Sequence, residues 1–519
     1  MPLPSRHIAR ARRLAWLVLL LTWLAPPLMA QTVHWQQTYG LTYTDSYGTR
    51  AGNDFKAAVA TPDGGFLLVG TTPQNVPGST TASASHGLLI KVDASGQVLW
   101  QKTSATIAPT AATASPDGGF LLVGQTSQTV PGTTTAGNYG LVVKVDASGN
   151  ELWRNTCGLT YSISTSTFAN NSLNAAVATP DGGFLLAGNA YQYLPGSRFI
   201  DIYGLVVKVD ANGNVLWQKT CGLTHTSGSA TTAANELYAA VATPDGGFLL
   251  AGNGYRNLPG SAGVGWYGLV VKVDADGDVL WQKSCGLTYT SGTSSTASNA
   301  LNAAVATLDG GFLLVGQTTQ TVPGTTTSGT YGLVVKMDAA GNVLSQQTSG
   351  LTYSSGTTTS ASNNLRAAVA TPDGGFLLAG QTTQNVPGST SLGTYGLLVK
   401  VDASGQALWP APRTVPPAAG LTDYSVKAAV AIPGGGVLLA GKAYQSPGTP
   451  AGDYGWAALV DSVATGLLLQ QADGTAQAAD KPFRLLWQPV LTVGGLDSLA
   501  RPQLRGTVTT FQGGRVLLP

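Results

Sequence analysis

Charged residues are scarce in this sequence. Its 519 residues include 27 Lys or Arg and 25 Asp or Glu, which leaves a net charge of +2 at pH 7. Basic residues form no run beyond the first 13 positions. The chain therefore lacks the dense positive patch with which proteins neutralise nucleic-acid phosphates, and we expect no nucleic-acid partner.

Histidine, cysteine and helix-forming patterns are also scarce. Four histidines and three cysteines leave few side chains for a metal centre. No nucleophile-elbow, zinc-protease or phosphate-loop motif occurs. No segment between residues 39 and 471 keeps an apolar period of 3.6 residues between helix caps. These absences argue against a helical fold and predict a protein without a cofactor.

The first 30 residues differ in composition from the rest. Four arginines, at positions 6, 10, 12 and 13, precede an apolar stretch at residues 14–24, which is too short to span a bilayer. This order predicts a secretory signal peptide over residues 1–30, cleaved after Ala30. An uncleaved anchor is the alternative. We expect a secreted or cell-surface protein with no membrane span after cleavage.

Glycine is abundant, with 67 copies, and many of them belong to an internal repeat. The first word of the repeat, Asp-Gly-Gly-Phe, starts at Asp63, Asp117, Asp181, Asp245, Asp309 and Asp373, with a degenerate seventh copy at Gly434. The step is 54 residues for the first pair, 64 for the next four and 61 for the last. The second word, Lys-Val-Asp followed by a Gly turn and Trp, ends at Trp100, Trp153, Trp217, Trp281 and Trp409, with Ser345 in the fifth copy. The chain therefore contains seven units, of which the last is degraded.

Each unit is predicted to form four short strands. In the fourth unit they cover residues 237–243, 248–251, 268–273 and 279–283. Tight turns rich in Pro, Asp and Gly join the first pair and the last pair. Four strands repeated seven times predict an all-β, seven-bladed β-propeller over residues 31–471, with four antiparallel strands per blade.

Side-chain size assigns the strands to positions in a blade. The first strand is rich in alanine, which suits the crowded axis, and the Trp strand then lies outermost, where the ring covers the next blade. The third strand is apolar on both faces, as expected for a sheet packed between two others. Both tight turns lie at one end of the blades, so all the long loops share the opposite face. We expect any site on that face or in the channel mouth beneath it.

The two ends of the repeat region are irregular. Residues 33–38, with Trp35, repeat the outer-strand word and are predicted to close the ring by pairing with the last blade; residues 466–469 are the competing segment. Residues 472–519 break the repeat and predict a short C-terminal β-like tail, either a cap or part of a further domain.

The repeat resembles the bacterial β-propeller repeat family of secreted and cell-surface proteins. The shared words are Gly-Leu-Thr, Pro-Asp-Gly-Gly-Phe-Leu-Leu-Val-Gly, Val-Pro-Gly and Lys-Val-Asp-Ala-Ser-Gly-Asn-Val-Leu-Trp, and they extend over residues 33–470. The resemblance implies a propeller fold and a bacterial envelope setting. It implies little about activity, because most such proteins have no assigned chemistry.

Three sets of residues are open to a functional or a structural interpretation. Cys157, Cys221 and Cys285 occupy equivalent positions, where they are either small semi-buried residues or a metal site. Asp274, Asp276 and Asp278 form either a turn or half a calcium loop, so calcium is the one cofactor considered. The third-strand lysines either pair with the Asp63-type carboxylates or form a cationic ring for an anionic ligand. These lysines are Lys91, Lys144, Lys208, Lys272, Lys336 and Lys400.

Aromatic residues within the Ser, Thr and Gly-rich loops are the candidate ligand-binding residues. Aromatic surfaces beside hydroxyls and amides suit sugar or peptide binding, and the alternative is that they anchor the loops. The loops also contain Tyr161, His225 and Tyr353, and the candidates chosen are Tyr191, Tyr193, Tyr255, Trp266 and Tyr289.

The favoured function is a non-catalytic binding or adhesion module whose partner is an extracellular polysaccharide or a surface protein. The alternatives are an enzyme that acts on extracellular polysaccharide with acids at the channel mouth, and a purely structural surface protein. Near-identical repeats argue against the enzyme, since catalysis needs unlike residues to converge. Two or more non-repeated acids facing one pocket would favour it.

Overall fold

The computed structural model describes residues 33–461, except residues 46–47, 75–85, 164–165, 194–199, 228–229, 259–263, 292–293, 356–357, 387–390, 416–420, 433–434 and 446–449. The chain divides into two units, Met1–Ala464 and Thr465–Pro519, and the described residues all belong to the first. The predicted signal peptide, the predicted tail and the competing closing segment at 466–469 lie outside the described residues.

Within residues 33–461, the described strands form seven blades of four antiparallel strands each. The first strand of every blade contacts the first strands of both neighbouring blades, and these contacts run without a break from blade 7 back to blade 1. The first strands therefore form the inner wall of a closed ring. The prediction of a seven-bladed β-propeller is confirmed.

Every blade has an inner, a second, a third and an outer strand, and the residue ranges of each follow in the order of blades 1 to 7. The inner strands are β4 (Asp54–Ala60), β8 (Ala108–Ala114), β14 (Asn171–Ala178), β20 (Asn235–Ala242), β26 (Asn299–Ala306), β32 (Asn363–Ala370) and β36 (Leu421–Ala431). The second strands are β5 (Phe66–Thr72), β9 (Phe120–Thr129), β15 (Phe184–Tyr193), β21 (Phe248–Asn257), β27 (Phe312–Thr321), β33 (Phe376–Asn385) and β37 (Gly436–Gln445). The third strands are β6 (His86–Val92), β10 (Ala136–Val145), β16 (Ile200–Val209), β22 (Val264–Val273), β28 (Ser328–Met337), β34 (Leu392–Val401) and β38 (Gly452–Asp461). The outer strands are β7 (Val98–Ser104), β11 (Glu151–Cys157), β17 (Val215–Cys221), β23 (Val279–Cys285), β29 (Val343–Ser349), β35 (Arg413–Thr414) and β1 (Val33–Tyr39).

The N-terminal strand closes the ring. Strand β1 pairs antiparallel with β38, with Val33 opposite Val460 and Tyr39 opposite Gly455. It is thus the outer strand of blade 7, as predicted. Beneath it, Trp456 is fully buried. The seventh unit has no complete outer-strand word of its own in the sequence. It nevertheless forms a complete blade, because β1 supplies the outer strand.

The outer-strand tryptophans pack across the blade boundaries. The ring of Trp153 in blade 2 lies against Gly213, a turn residue of blade 3 with φ +82°. The same contact joins Trp35 to Gly96, Trp100 to Gly149, Trp217 to Gly277 and Trp281 to Gly341. This arrangement agrees with the prediction that the ring covers the neighbouring blade. It also explains the glycine of the turn, because a side chain there would collide with the indole.

Two parts of the strand prediction were wrong. The second and third strands of a typical blade run to 10 residues, as in β21 and β22, so they extend well into the segment predicted as a loop. The outer strand of blade 6 is only two residues long, and Trp409 precedes it in an irregular segment. Pro410 and Pro412 account for this, because proline cannot donate to a strand ladder.

The connections between blades also contain structure that was not predicted. Among the described residues, five of them hold a two-stranded hairpin. The hairpins are β2 (Thr42–Asp45) with β3 (Gly48–Gly52), β12 (Thr160–Ile163) with β13 (Ser166–Ala169), β18 (Thr224–Ser227) with β19 (Ala230–Ala233), β24 (Thr288–Ser291) with β25 (Ser294–Ala297), and β30 (Thr352–Ser355) with β31 (Thr358–Ala361). All of them lie on the long-loop face.

Candidate functional site

An asparagine attaches each described hairpin to its blade through hydrogen bonds. In blade 3, Asn171 accepts a hydrogen bond from Leu159 N and donates to Leu159 O, both at 2.9 Å. Its amide also donates to Asn138 O of the preceding blade at 3.1 Å. Gly158 has φ +139° and lies against this amide. Asn53, Asn235, Asn299 and Asn363 do the same at the other hairpins. The long-loop face is therefore held by repeated hydrogen bonds, and the sequence-based prediction missed these asparagines.

Blade 4 carries a cluster of three aromatic rings on this face. Tyr255 on β21 lies directly across the ladder from Trp266 on β22, with ring centroids 5.1 Å apart. His225 on β18 packs edge-on against Tyr255, also at 5.1 Å, and its Nε2 lies 3.0 Å from Thr232 Oγ1. Tyr255 and Trp266 remain partly exposed. The structure thus brings two of the candidate residues together with His225, another of the aromatic residues noted in the long loops.

Blade 3 carries a second aromatic group. Tyr191 lies on β15, and its neighbour Tyr161 on β12 stacks on Phe168 at 5.7 Å. Burial first, and then the proximity of Tyr191, raises the pKa of Tyr161. Tyr193 ends β15 and is 41% exposed. Tyr191 and Tyr193 therefore lie on an extended strand, and the prediction that they lie in a loop was wrong.

The remaining candidate belongs to a blade without such a group. Tyr289 lies on β24, opposite Thr296. The blade 5 positions equivalent to Tyr255 and Trp266 are Thr319 and Thr330, and those of blade 6 are also threonines. Among the described second strands, the Tyr255 position is also aromatic in blade 3 (Tyr191) and blade 7 (Tyr444), but only in blade 4 does a second aromatic residue, Trp266, lie opposite it.

Two charged residues near these groups have structural partners. Asp201 on β16 is buried and accepts a hydrogen bond from Ala233 N at 2.7 Å. Arg256 on β21 donates to Ser284 and lies 5.5 Å from the ring centre of Tyr267. Both side chains therefore stabilise contacts between strands on the part of the long-loop face that carries the aromatic groups.

The channel wall is the second place where the blades differ. Each inner strand has a register irregularity, as between Leu173 and Ala175, where Asn174 is the extra residue. Asn174 donates to Leu237 O of the next inner strand at 2.9 Å. Since this bond joins neighbouring inner strands, the bulge residue lies on the axial side of the wall. The bulge residues of blades 1 to 7 are Lys56, Thr110, Asn174, Tyr238, Asn302, Arg366 and Lys427.

The bulges divide the channel into two parts. In every blade the bulge residue precedes the last four residues of the inner strand, so the bulges lie toward the end where the chain arrives from the long-loop face. Beyond them the strands continue with alanines, such as Ala176 and Ala178, toward the tight turns. The described inner strands therefore carry varied polar residues at their long-loop ends and mostly alanine and valine beyond the bulge.

Charges gather at one side of this mouth. Lys427 of blade 7 contacts both oxygens of Asp54 in blade 1, at 2.6 and 2.7 Å, and Lys56 contacts one of them at 2.5 Å. Burial raises the pKa of Asp54, but the two lysines outweigh burial and hold that pKa below its usual value. Burial also lowers the pKa of Lys427 to about 8, and Lys56 adds to the effect while Asp54 opposes it.

A second acid among the described residues at the mouth lies on blade 4. Glu236 precedes the bulge on β20 and accepts a hydrogen bond from the Tyr238 hydroxyl of the same strand. Burial, followed by this carboxylate, raises the pKa of Tyr238. Thus both Asp54 and Glu236 have a partner on a neighbouring side chain.

The repeated lysines have a structural role. In the described blades 1 to 6 each ammonium is buried and lies 2.5 to 2.9 Å from the turn aspartate of its own blade, while that carboxylate is partly exposed. Hydrogen bonds from these lysines and the turn threonines lower the pKa of Asp63, Asp181, Asp245 and Asp309 to about 2. Of the two alternatives given for these lysines, the structure contains the pairing with the turn carboxylates.

The cysteines and the Asp274 turn also have structural contacts. All three thiols are free and buried, and burial raises each thiol pKa to about 12. Asp274 Oδ1 accepts hydrogen bonds from the backbone N of Asp276 and Asp278, and Asp278 pairs with Lys219. These are the contacts of a turn. In the part of the chain that the structure describes, no group of three or more His, Cys, Asp or Glu is placed to hold a metal ion. Nor do the described residues form a helix that is long and apolar enough to cross a bilayer.

No protein-family model and no curated protein matches the sequence. Similar solved structures include the Dos1 propeller (10% identity, TM-score 0.38, 82% of this chain and 96% of that chain). They also include the polysaccharide lyase Uly1 (12%, 0.41, 82% and 94%) and xylan β-1,4-xylosidase from Bacillus halodurans (10%, 0.28, 80% and 96%).

Proposed function

We propose that the protein is a secreted or cell-surface binding module that holds an extracellular polysaccharide on the long-loop side of blades 3 and 4. The observation that carries the proposal is the ring cluster of His225, Tyr255 and Trp266. Flat apolar rings flanked by hydroxyls and amides bind the faces of sugars, since the ring covers C–H groups while polar neighbours bond the hydroxyls.

A comparison of the blades favours a ligand-binding role for Tyr255 and Trp266 over a role in anchoring the loops. Blades 5 and 6 use threonines at the positions of Tyr255 and Trp266, and their strands still run the same 10 residues. Large rings are therefore not needed to build this part of a blade. Their partial exposure in blade 4 leaves apolar area that a ligand would cover.

The channel acids give little support to an enzyme. A general acid requires a carboxyl that is protonated near neutral pH, which means a raised pKa. The pKa of Asp54 is instead lowered, chiefly by Lys427 acting against burial. Glu236 already bonds Tyr238. We therefore retain a non-catalytic module as the proposed function.

The test is a thermal-shift screen of the mature chain, residues 31–519, against cellulose oligomers, xylan, alginate and polygalacturonate. A ligand of the native state raises the melting temperature. We expect at least one of these to raise it, and the double substitution Tyr255→Ala with Trp266→Ala to abolish the rise. Tyr353→Ala, which removes a hairpin tyrosine from blade 6, is the matched control and should leave the rise unchanged.

Two results would contradict the proposal. One is the lack of any shift with all four polysaccharides. The other is a shift that persists in the double variant, which would place the ligand elsewhere on the molecule.

A further inference from the structure

Two lysines contact one carboxylate at the channel mouth, and an arginine on the same side is attracted to that carboxylate without a direct contact. Lys56, Arg366 and Lys427 come from the inner strands of blades 1, 6 and 7, which are consecutive around the ring. Asp54 is the carboxylate that both lysines contact. Glu236, a second described acid at the mouth, lies on blade 4 and accepts a hydrogen bond from Tyr238. This side of the mouth therefore carries an excess of positive charge.

Arg366 is the least satisfied of the three. Burial lowers the pKa of its guanidinium, and attraction to Asp54 only partly opposes this. Its Nε is buried and has no hydrogen-bond partner among the described residues. A buried donor without a partner costs free energy, so such groups in folded proteins usually bond water, an ion or a ligand.

The corresponding residues of other blades show that the scaffold does not need this arginine. Asn302 occupies the same bulge in blade 5 and bonds both Asn364 Oδ1 and Leu365 O of the next inner strand, at 2.7 and 2.8 Å. Thr110 makes the equivalent bond in blade 2, to Leu173 O at 2.6 Å. A short polar side chain is thus sufficient to join neighbouring inner strands.

We propose that the channel mouth at blades 6, 7 and 1 is a binding site for an oxyanion, a carboxylate or sulfate group, held by Arg366 together with Lys56 and Lys427. Guanidinium and ammonium groups are the donors that bind such oxyanions, and a partly dehydrated site strengthens each of these bonds. The group is either a free anion or a charged substituent of a polysaccharide. The site is separate from the aromatic cluster and does not depend on the proposed function.

The experiment measures binding of sulfate, glucuronate and polygalacturonate to the mature chain at low millimolar concentration and constant ionic strength. Melting temperature and calorimetric titration serve as readouts. Constant ionic strength is required because sulfate at high concentration stabilises proteins in general. We expect saturable binding of sulfate and glucuronate. Binding of polygalacturonate that also depends on Arg366 would identify the group as a substituent of a polymer, and its failure would leave the free anion as the ligand.

Charge variants at the site give the decisive comparison. Arg366→Gln should weaken anion binding about tenfold or more, the loss expected for one charged hydrogen bond. Lys283→Gln removes a positive charge from an exposed outer strand and is the matched control, with no change expected. Asp54→Asn removes the competing carboxylate and should tighten binding, which is the opposite sign.

If Arg366→Gln does not fold, Asp54→Asn still tests the proposal, because this variant is expected to change the anion affinity in the opposite direction. Equal affinity in the wild type and Arg366→Gln, or looser binding in a folded Asp54→Asn variant, would overturn the proposal. So would a response to sulfate that rises linearly without saturation. The Tyr255→Ala and Trp266→Ala double variant should bind sulfate normally, which separates failure of this site from failure of the aromatic one.

Discussion

The pair of Lys272 and Asp245 in blade 4 allows a quantitative prediction about how the blades are stabilised. The Lys272 ammonium is almost fully buried, and it contacts Asp245 at 2.9 Å and Val273 O at 3.3 Å. The Asp245 side chain is 59% exposed. Substitution Asp245→Ala should therefore be much more damaging than Lys272→Met, because only the first leaves a buried charge without its partner.

The size of the effect follows from these contacts. Loss of one partner of a buried pair costs about 3–5 kcal/mol, but water can reach the exposed side of this pair, so we expect about 2 kcal/mol from the lysine contact. Asp245→Ala also loses the bonds from Thr243 Oγ1 and Gly247 N. Asp274→Ala, in the other turn of the blade, loses two backbone bonds but leaves no lysine unpaired, which makes it the matched control.

Urea unfolding of the three single variants and of the Asp245→Ala, Lys272→Met double variant measures these differences. We expect Asp245→Ala to lose about 2 kcal/mol more than Asp274→Ala, and the double variant to recover most of that difference. Equal losses for the two aspartate variants, or a double variant no more stable than Asp245→Ala, would refute the reasoning.

Two further predictions concern acid and glycine. Because the pKa of the turn carboxylates Asp63, Asp181, Asp245 and Asp309 is about 2 in the folded protein and near 4 when unfolded, stability should be fully present above pH 4 and fall as the pH drops toward 2. Melting temperatures at pH 5, 3 and 2 test this, and an unchanged temperature would contradict it. Gly182 and Gly213 have similar φ values, +83° and +82°, but only Gly213 faces a tryptophan ring, 2.4 Å from an added Cβ. Gly213→Ala should therefore be less stable than Gly182→Ala by about 1–3 kcal/mol in urea unfolding, and equal losses would show that the indole simply moves.

Much of the architecture could be predicted because each blade meets the same neighbours. A residue that packs between blades faces the same environment in every copy, so the turn glycines, the Ala-rich inner strands and the Lys–Asp pairs recur at fixed steps. The closing strand was also predictable, since Trp35 repeats the outer-strand word. These features depend on local sequence and on a single repeated contact.

The hairpins and long strands could not be predicted on the same basis. Strands β24 and β25 consist of Ser, Thr, Tyr and Ala, so they lack the apolar alternation that indicates a half-buried strand. What holds them is Asn299, whose amide bonds Leu287 twelve residues away. The recurring spacing from the Gly-Leu word to an asparagine was the available signal.

The channel site was hidden for a different reason. A bulge shifts the register of a strand by one residue, and this shift decides whether a side chain faces the core or the axis of the ring. The residue types along the strand do not reveal where the bulge occurs. The partners are also remote, because Asp54 and Lys427 are 373 residues apart and meet only when the ring closes. The sequence could point to the channel mouth but not to Arg366, Lys56 and Lys427 as neighbours.

The positions where the blades differ argue against a purely structural spacer. A spacer needs only the repeated contacts, and blade 5 satisfies them with Asn302 at its bulge and with threonines at the tips of its long strands. Blades 4 and 6 instead keep a partly exposed indole at Trp266 and a guanidinium at Arg366 whose buried Nε has no partner among the described residues. The unpartnered Nε costs free energy until it is bonded, and the partly exposed indole leaves apolar area that a ligand could cover. Since both lie toward the same face, that face is where a ligand would contribute most to the stability of the native state.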